Sequence, residues 1–337
     1  MRLASIHTLV SPITLALLAA CGADANAPTA HQGPPGFREN VEEAPRFSAW
    51  SEPVNLGPPV NTPFVEQGTS LSRDGLTLYF QCRGCEGNVP GSLPGSSDIY
   101  VSRRTTVDAP WGPPQQMGPN INTIYDDAAP RVSIDGHRLF FNSDRPVGSG
   151  GADLYVSRRR DHRDELGWEP AMNLGPGINS DLDEVQADPF EDETGVNVLH
   201  YAVGPRASGG TDIYVSMLRE DGTYGPGTPV AELNSGAADR QPAIRRDGLE
   251  MFFASTRSPG HGALDLWVAT RATTRDPWSA PVNLGPVVNG SLADARPALS
   301  FDGTTLYFQS TRAGAVGCGD AAPCPFDLWV TTRTRLR

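Results

Sequence analysis

Five carboxylates stand at one fixed distance from five copies of an asparagine, and that spacing is where chemistry is first to be sought. Asn61, Asn122, Asn179, Asn234 and Asn289 are each followed five residues later by an acid: Glu66, Asp127, Glu184, Asp239 and Asp294. Further along, each copy carries an arginine (Arg83, Arg145, Arg206, Arg257, Arg312) and then an aspartate (Asp98, Asp153, Asp212, Asp265, Asp327). If the copies converge, the carboxylates form a ring facing arginines. Such a ring suits a cation, a sugar or a basic peptide end. It equally suits a repeated ion-pair network that fixes loops, and five like copies favour this structural role, because a catalytic site rarely needs one residue five times.

Other chemistries are narrowed by composition. The sequence has no lysine, so all 27 basic residues are arginine and Schiff-base or lysine-nucleophile chemistry is excluded. The six histidines are scattered without metal spacing, and no nucleophile elbow, phosphate loop or His-Glu-x-x-His motif occurs. Asp181, Asp183, Glu184 and Asp188 offer hard oxygen ligands, but without the glycine and fixed spacing of a calcium loop. No catalytic residue, metal or cofactor is therefore assigned. A net charge of -12 argues against nucleic acid as a partner. One enzymatic alternative is a glycoside hydrolase, which sets a protonated and an ionised carboxylate around a channel mouth; Glu66, Asp127 and Glu184 are the acids it would use.

The elements that must position these groups come from a repeat. An aromatic residue heads each unit, at Trp50, Trp111, Trp168, Tyr224 and Trp278, in steps of 61, 57, 56 and 54 residues. Each unit holds a Pro-Val-Asn-Leu-Gly-like run, the marker asparagine, Asp-Gly, Leu-Tyr-Phe and Asp-Leu-Tyr-Val-Ser. In the second unit, Ala128–Ile134 reads as strand A, Asp135-Gly136 as a two-residue hairpin turn, His137–Ser143 as strand B, Asp153 onward as strand C and the Ala171 segment as strand D. Such tandem units predict an all-β, five-bladed propeller of four-stranded antiparallel blades. The chain opens on a D-type strand at Trp50 and ends on a C-type strand, so the first should complete the last blade and remove its open edge. With two-residue turns, Glu66 falls opposite Arg83, and Asp127 opposite the neighbour of Arg145. The third unit departs: its hairpin carries about three extra residues.

Residues 1–20 read as a secretory signal ending in Leu18-Ala19-Ala20-Cys21, a lipobox in which Cys21 is the lipidated residue. Gly22 points to export to the bacterial outer membrane. Residues 21–47 read as a flexible tether and 48–337 as the propeller. For an exported chain, Cys82, Cys85, Cys318 and Cys324 read as disulfides. The local pairing Cys82–Cys85 with Cys318–Cys324 needs least assumption; a four-cysteine zinc site is the sharper alternative.

Stretches such as RVSIDGHRLFFNSDRPVGSGGADLYVSRR and ALSFDGTTLYFQSTR resemble the WD-repeat-like propeller of TolB, a periplasmic protein of the Tol-Pal system, and the intervening spacing resembles related envelope lipoproteins. The resemblance covers residues 50–337. No OmpA-type domain follows the last blade, so direct peptidoglycan anchoring is not implied. What the resemblance implies is a monomeric, non-catalytic lipoprotein, held to the membrane by its lipid alone. It would bind an envelope protein or a glycan on the channel-mouth face, where the ring carboxylates and the arginines Arg83 to Arg312 lie. A glycan-binding or glycoside-hydrolase-like propeller is the alternative.

Overall fold

A computed structural model describes residues 46–336, apart from 86–87, 192–194, 206–209 and 319–323. The signal, Cys21 and nearly all of the tether lie outside the described residues. No described helix is long and apolar enough to cross a membrane.

The described chain from Arg46 is built of strands, in five antiparallel sheets of four. A short strand β1 (Val54–Asn55) comes first. Blade 1 holds β2 (Val65–Leu71), β3 (Thr77–Arg83), β4 (Ser97–Arg103) and β5 (Gln115–Gln116). Blade 2 holds β6 (Asp127–Val132), β7 (Arg138–Ser143), β8 (Asp153–Arg158) and β9 (Met172–Asn173). Blade 3 holds β10 (Asp183–Glu191), β11 (Asn197–Gly204), β12 (Asp212–Met217) and β13 (Thr228–Pro229). Blade 4 holds β14 (Asp239–Ile244), β15 (Glu250–Ser255), β16 (Asp265–Thr270) and β17 (Val282–Asn283). Blade 5 holds β18 (Asp294–Leu299), β19 (Thr305–Ser310) and β20 (Asp327–Thr332), and β1 completes it by pairing Val54 with Val330 and Asn55 with Trp329. The expected five-bladed closure is the observed one. Phe47 bridges to Arg335 and lies 3.7 Å under the Arg333 guanidinium.

Core packing runs between blades. Tyr79, Ile99 and Val101 of blade 1 share a buried cluster with Leu139, Phe141 and Tyr155 of blade 2, and equivalent clusters join the other neighbours. The paired aromatics are buried because strand B alternates them into the gaps on either side of its own blade.

Two local features differ from expectation. The Asp-Gly hairpins are four-residue loops: Ser72 N donates to Thr77 O, and Gly75 N to Ser72 O. Only the glycine takes positive φ, at 69° for Gly75 and 73° for Gly136. The aspartate instead accepts bonds inside the loop, from Ser72 Oγ and Leu76 N in the case of Asp74. The second feature is a bulge in the innermost strand of every blade. Gly68-Thr69, Ala129-Pro130, Gln186-Ala187, Gln241-Pro242 and Arg296-Pro297 are each two residues set against one on strand B. The first of each pair has positive φ, between 52° and 65°. A bulge turns its side chain out of the sheet, and here that direction is the central channel.

Candidate functional site

The marker asparagines are built into the fold as substitute peptides. Asn122 Oδ1 accepts from Ile99 N and its Nδ2 donates to Ile99 O, at 2.8 and 2.9 Å. The same double bond joins Asn61 to Leu328, Asn179 to Leu154, Asn234 to Ile213 and Asn289 to Leu266. It locks the chain at the mouth, and the following residue then caps the ring acid. Thr123 N and Oγ1 both donate to Asp127 Oδ2, and Ser235 does the same for Asp239.

All five ring acids lie where the innermost strands start, at 0–1% exposure. In blades 2, 4 and 5 an arginine neutralises them: Arg145 Nη2 reaches Asp127 at 2.5 Å, Arg257 reaches Asp239 at 2.5 Å, and Arg312 reaches Asp294 at 2.6 Å. Each arginine also donates to a serine two residues earlier and lies over two aromatics of its blade, Phe141 and Tyr155 for Arg145. The geometry is that of a structural network. The opposite residue is Ser143 for Asp127 and Cys82 for Glu66, one position short of expectation, because each bulge shifts the register by one.

Among the described residues, blades 1 and 3 lack this network. In the shifted register the place of Arg145 falls to Gly84 and Pro205. Arg83 is exposed and makes no ion pair among the described residues; Arg206 lies outside them. Both blades carry the longer glutamate. Glu66 is held by Thr62 and lies against the sulfurs of Cys82 and Cys85. Burial raises its pKa to about 7 against the opposing Thr62 hydrogen bonds, and its Oε2 has no partner. Burial likewise raises Glu184, which Ser180 caps.

The strand-C aspartates fasten the B–C loops. Asp98 accepts from Val89 N and Gln116, Asp153 from Ser149 N and Asn173, Asp265 from His261 N and Asn283, and Asp327 from Val316 N and Asn55. Asp212 begins β12 but is only half buried. Cys82–Cys85 and Cys318–Cys324 form the two local disulfides, with Cα separations of 5.8 and 5.6 Å, so the zinc alternative falls. The acids of the third unit do not converge: Asp183 accepts from Ala152 N, while Asp188 faces Arg131 in the channel.

The channel wall was missed by the sequence reading. Arg131 spans it, donating to Thr69 O and Pro297 O in other blades, with its Nε 3.6 Å from Asp188 Oδ1. Burial lowers the pKa of Arg131 and raises that of Asp188 to about 6, in each case against the partner's charge. A cavity of about 80 Å³ opens below this pair, on the hairpin face, rimmed by Arg73, Arg246 and Phe301. Above it, Arg296 donates to Gln81, and the place a Cβ on Gly68 would take lies 2.9 Å from the Arg296 guanidinium. A signal did exist. Asp127, Asp239 and Asp294 are each followed three residues later by proline, which cannot donate to a ladder and marks a bulge; the residue before it lines the channel.

No family model and no curated protein matches the sequence. Solved structures do match in fold. The endo-arabinase of Bacteroides thetaiotaomicron aligns with a TM-score of 0.55 at 15% identity, covering 86% of this chain and 99% of that one. The catalytic domain of a family-62 α-L-arabinofuranosidase from Coprinopsis cinerea gives 0.55 at 14%, covering 86% and 98%. An α-L-arabinofuranosidase from Lactobacillus brevis gives 0.53 at 16%, covering 83% and 93%. At such identities the likeness establishes the five-bladed fold. It also corrects the resemblance to TolB and WD-repeat propellers, because the matching propellers are glycoside hydrolases. The physical reason is plain: the Asp-Gly hairpins, paired aromatics and strand-C aspartates that carried the resemblance all build blades, and blade-building residues do not distinguish one propeller family from another. The non-catalytic, protein-binding scaffold it implied loses its support with it.

Proposed function

We propose that this chain is a glycan-active propeller, glycan-binding or glycoside-hydrolase-like, carried on the outer membrane by lipid on Cys21. The supporting observation is the match along nearly the full length of arabinan- and arabinoside-cleaving propellers. Within that reading, hydrolysis is favoured over binding alone by one feature. A general acid must stay protonated near neutral pH, and Glu66, with no arginine beside it and its pKa raised to about 7, is the ring acid that meets this condition. Glu184, the other acid without an arginine partner among the described residues, is its candidate counterpart. Thr62 and the Cys82–Cys85 loop cover Glu66, so a substrate must displace that cover to reach it.

The test is to incubate the full chain with arabino- and xylo-oligosaccharides, following product release by chromatography and binding by calorimetry. Glu66→Gln should retain binding and lose cleavage by at least the 10²-fold typical of removing a general acid. Neither binding nor cleavage of any neutral or acidic oligosaccharide would end the reading.

A further inference from the structure

Above the Arg131–Asp188 pair, the described residues bring several arginines together. Arg296 stands on the bulge of blade 5, and Arg240 just before that of blade 4. Arg83, Arg131, Arg240 and Asp126 all lie near enough for their charges to act on Arg296. Asp188 offsets Arg131. Arg83, Arg240 and Arg296 make no ion pair among the described residues, and Asp126 Oδ1 accepts from Ser97 N.

Two of these guanidinium groups are incompletely bonded. Arg240 has no hydrogen-bond or ion-pair partner among the described residues, and its Nε is buried. Arg296 donates through Nη1 to Gln81, but its Nε is buried without a partner. Buried donors are normally satisfied, because one left bare loses its hydration without a replacement, and the loss is greater when it is charged. Burial depresses both arginines, Arg296 to about 10, where the neighbouring arginines add to the effect and Asp126 opposes it. Glutamines add polar groups there: Gln186 and Gln241 stand on bulges, Gln67 and Gln81 lie beside one, and Gln186 makes no side-chain hydrogen bond among the described residues. Arg83, exposed at the end of β3, gives it a cationic mouth.

We propose that the upper channel is an oxyanion site, in which Arg240 and Arg296, with Arg83 at the entrance, hold a carboxylate, sulfate or phosphate group. A planar guanidinium presents paired N–H donors that match two oxygens of such a group, and the bare Nε atoms are the donors awaiting them. The anion is either a small free ion or the carboxylate of an acidic sugar entering the channel end-on. The inference rests on the channel's own charges and stands apart from the glycan reading.

Titration calorimetry and thermal melts of the full chain, with sulfate, phosphate and trigalacturonate at ionic strength fixed by chloride, decide it. Sulfate or trigalacturonate should bind and raise the melting temperature beyond the chloride control. Arg240→Gln and Arg296→Gln should each weaken binding at least ten-fold, while Arg246→Gln at the opposite mouth should not. Without added anion, Arg240→Gln should melt no lower than wild type, since it removes an unpaired charge; a merely structural arginine would lower it. Binding of trigalacturonate in competition with sulfate identifies the acidic sugar, and binding of the inorganic ions alone identifies a free anion. If none of the three binds beyond chloride, or both variants keep wild-type affinity, the site does not exist.

Discussion

Asp127 is wholly buried, so its charge is tolerable only because Arg145, Ser143 and Thr123 surround it. Removing one partner of such a pair strands the other in a low-dielectric setting, at about 3–5 kcal/mol. Asp127→Asn should therefore lower unfolding free energy by about that amount in urea titrations, and Asp294→Asn should behave alike. Glu66 obeys the opposite logic. Its folded pKa is raised from 4.5 to about 7, so the native state holds a proton that the unfolded chain releases. Its contribution is complete below pH 4.5 and is lost as pH rises to 7, by about 3 kcal/mol in total at 1.36 kcal/mol per unit. Glu66→Gln keeps an uncharged hydrogen-bonding group there, so the wild type minus variant difference in stability should fall between pH 5 and pH 8. A difference independent of pH would show that Glu66 stays ionised in the fold.

At the level of the element, the arginine that follows strand C explains why arginine serves where lysine would not. Arg104 Nε donates to Gly75 O at 2.8 Å while its guanidinium lies 4.3 Å over Trp111, and Arg159, Arg271 and Arg333 repeat this clamp on Gly136, Gly248 and Gly303. One planar group thus ties an Asp-Gly hairpin to the aromatic that heads the next unit. Lysine has no planar face to stack, so Arg104→Lys should cost about 1–2 kcal/mol in denaturant melts. The strands and hairpins were legible because each repeats the same alternation and the same Asp-Gly. The bulges were not read from that alternation, which does not reveal one inserted residue; only the prolines of blades 2, 4 and 5 mark it, and the inserted residue moved Glu66 from Arg83 to Cys82. The carboxylates drew attention by repetition, whereas Arg131, Arg240 and Arg296 hold three different positions around their bulges, so the repeated proline marks the place but not the arginines. What repeats in a propeller is what every blade needs; what acts in its channel differs from blade to blade.

For the whole molecule, ring closure decides stability, since each blade buries its aromatics only against a neighbour. Blade 5 is joined by the two ends of the chain. Between them lie the β1–β20 ladder, Trp50 at 6.0 Å from Phe252, and Phe47 under Arg333 and Arg245. Arg333 in turn donates to Gly303 O and Glu250, so the N-terminal segment is wired into blade 4 as well as blade 5. Deleting residues 46–57 would uncover the edge of β20, expose Trp329 and leave Arg333 without its aromatic seat. An open edge is both a loss of ladder bonds and a template for association. The truncated chain should melt well below the full chain and elute as aggregates in size-exclusion chromatography, whereas a chain lacking residues 22–40 should keep the full melting temperature and elute as a single species. Equal melting temperatures for the two truncations would mean that β1 is not a working part of the ring.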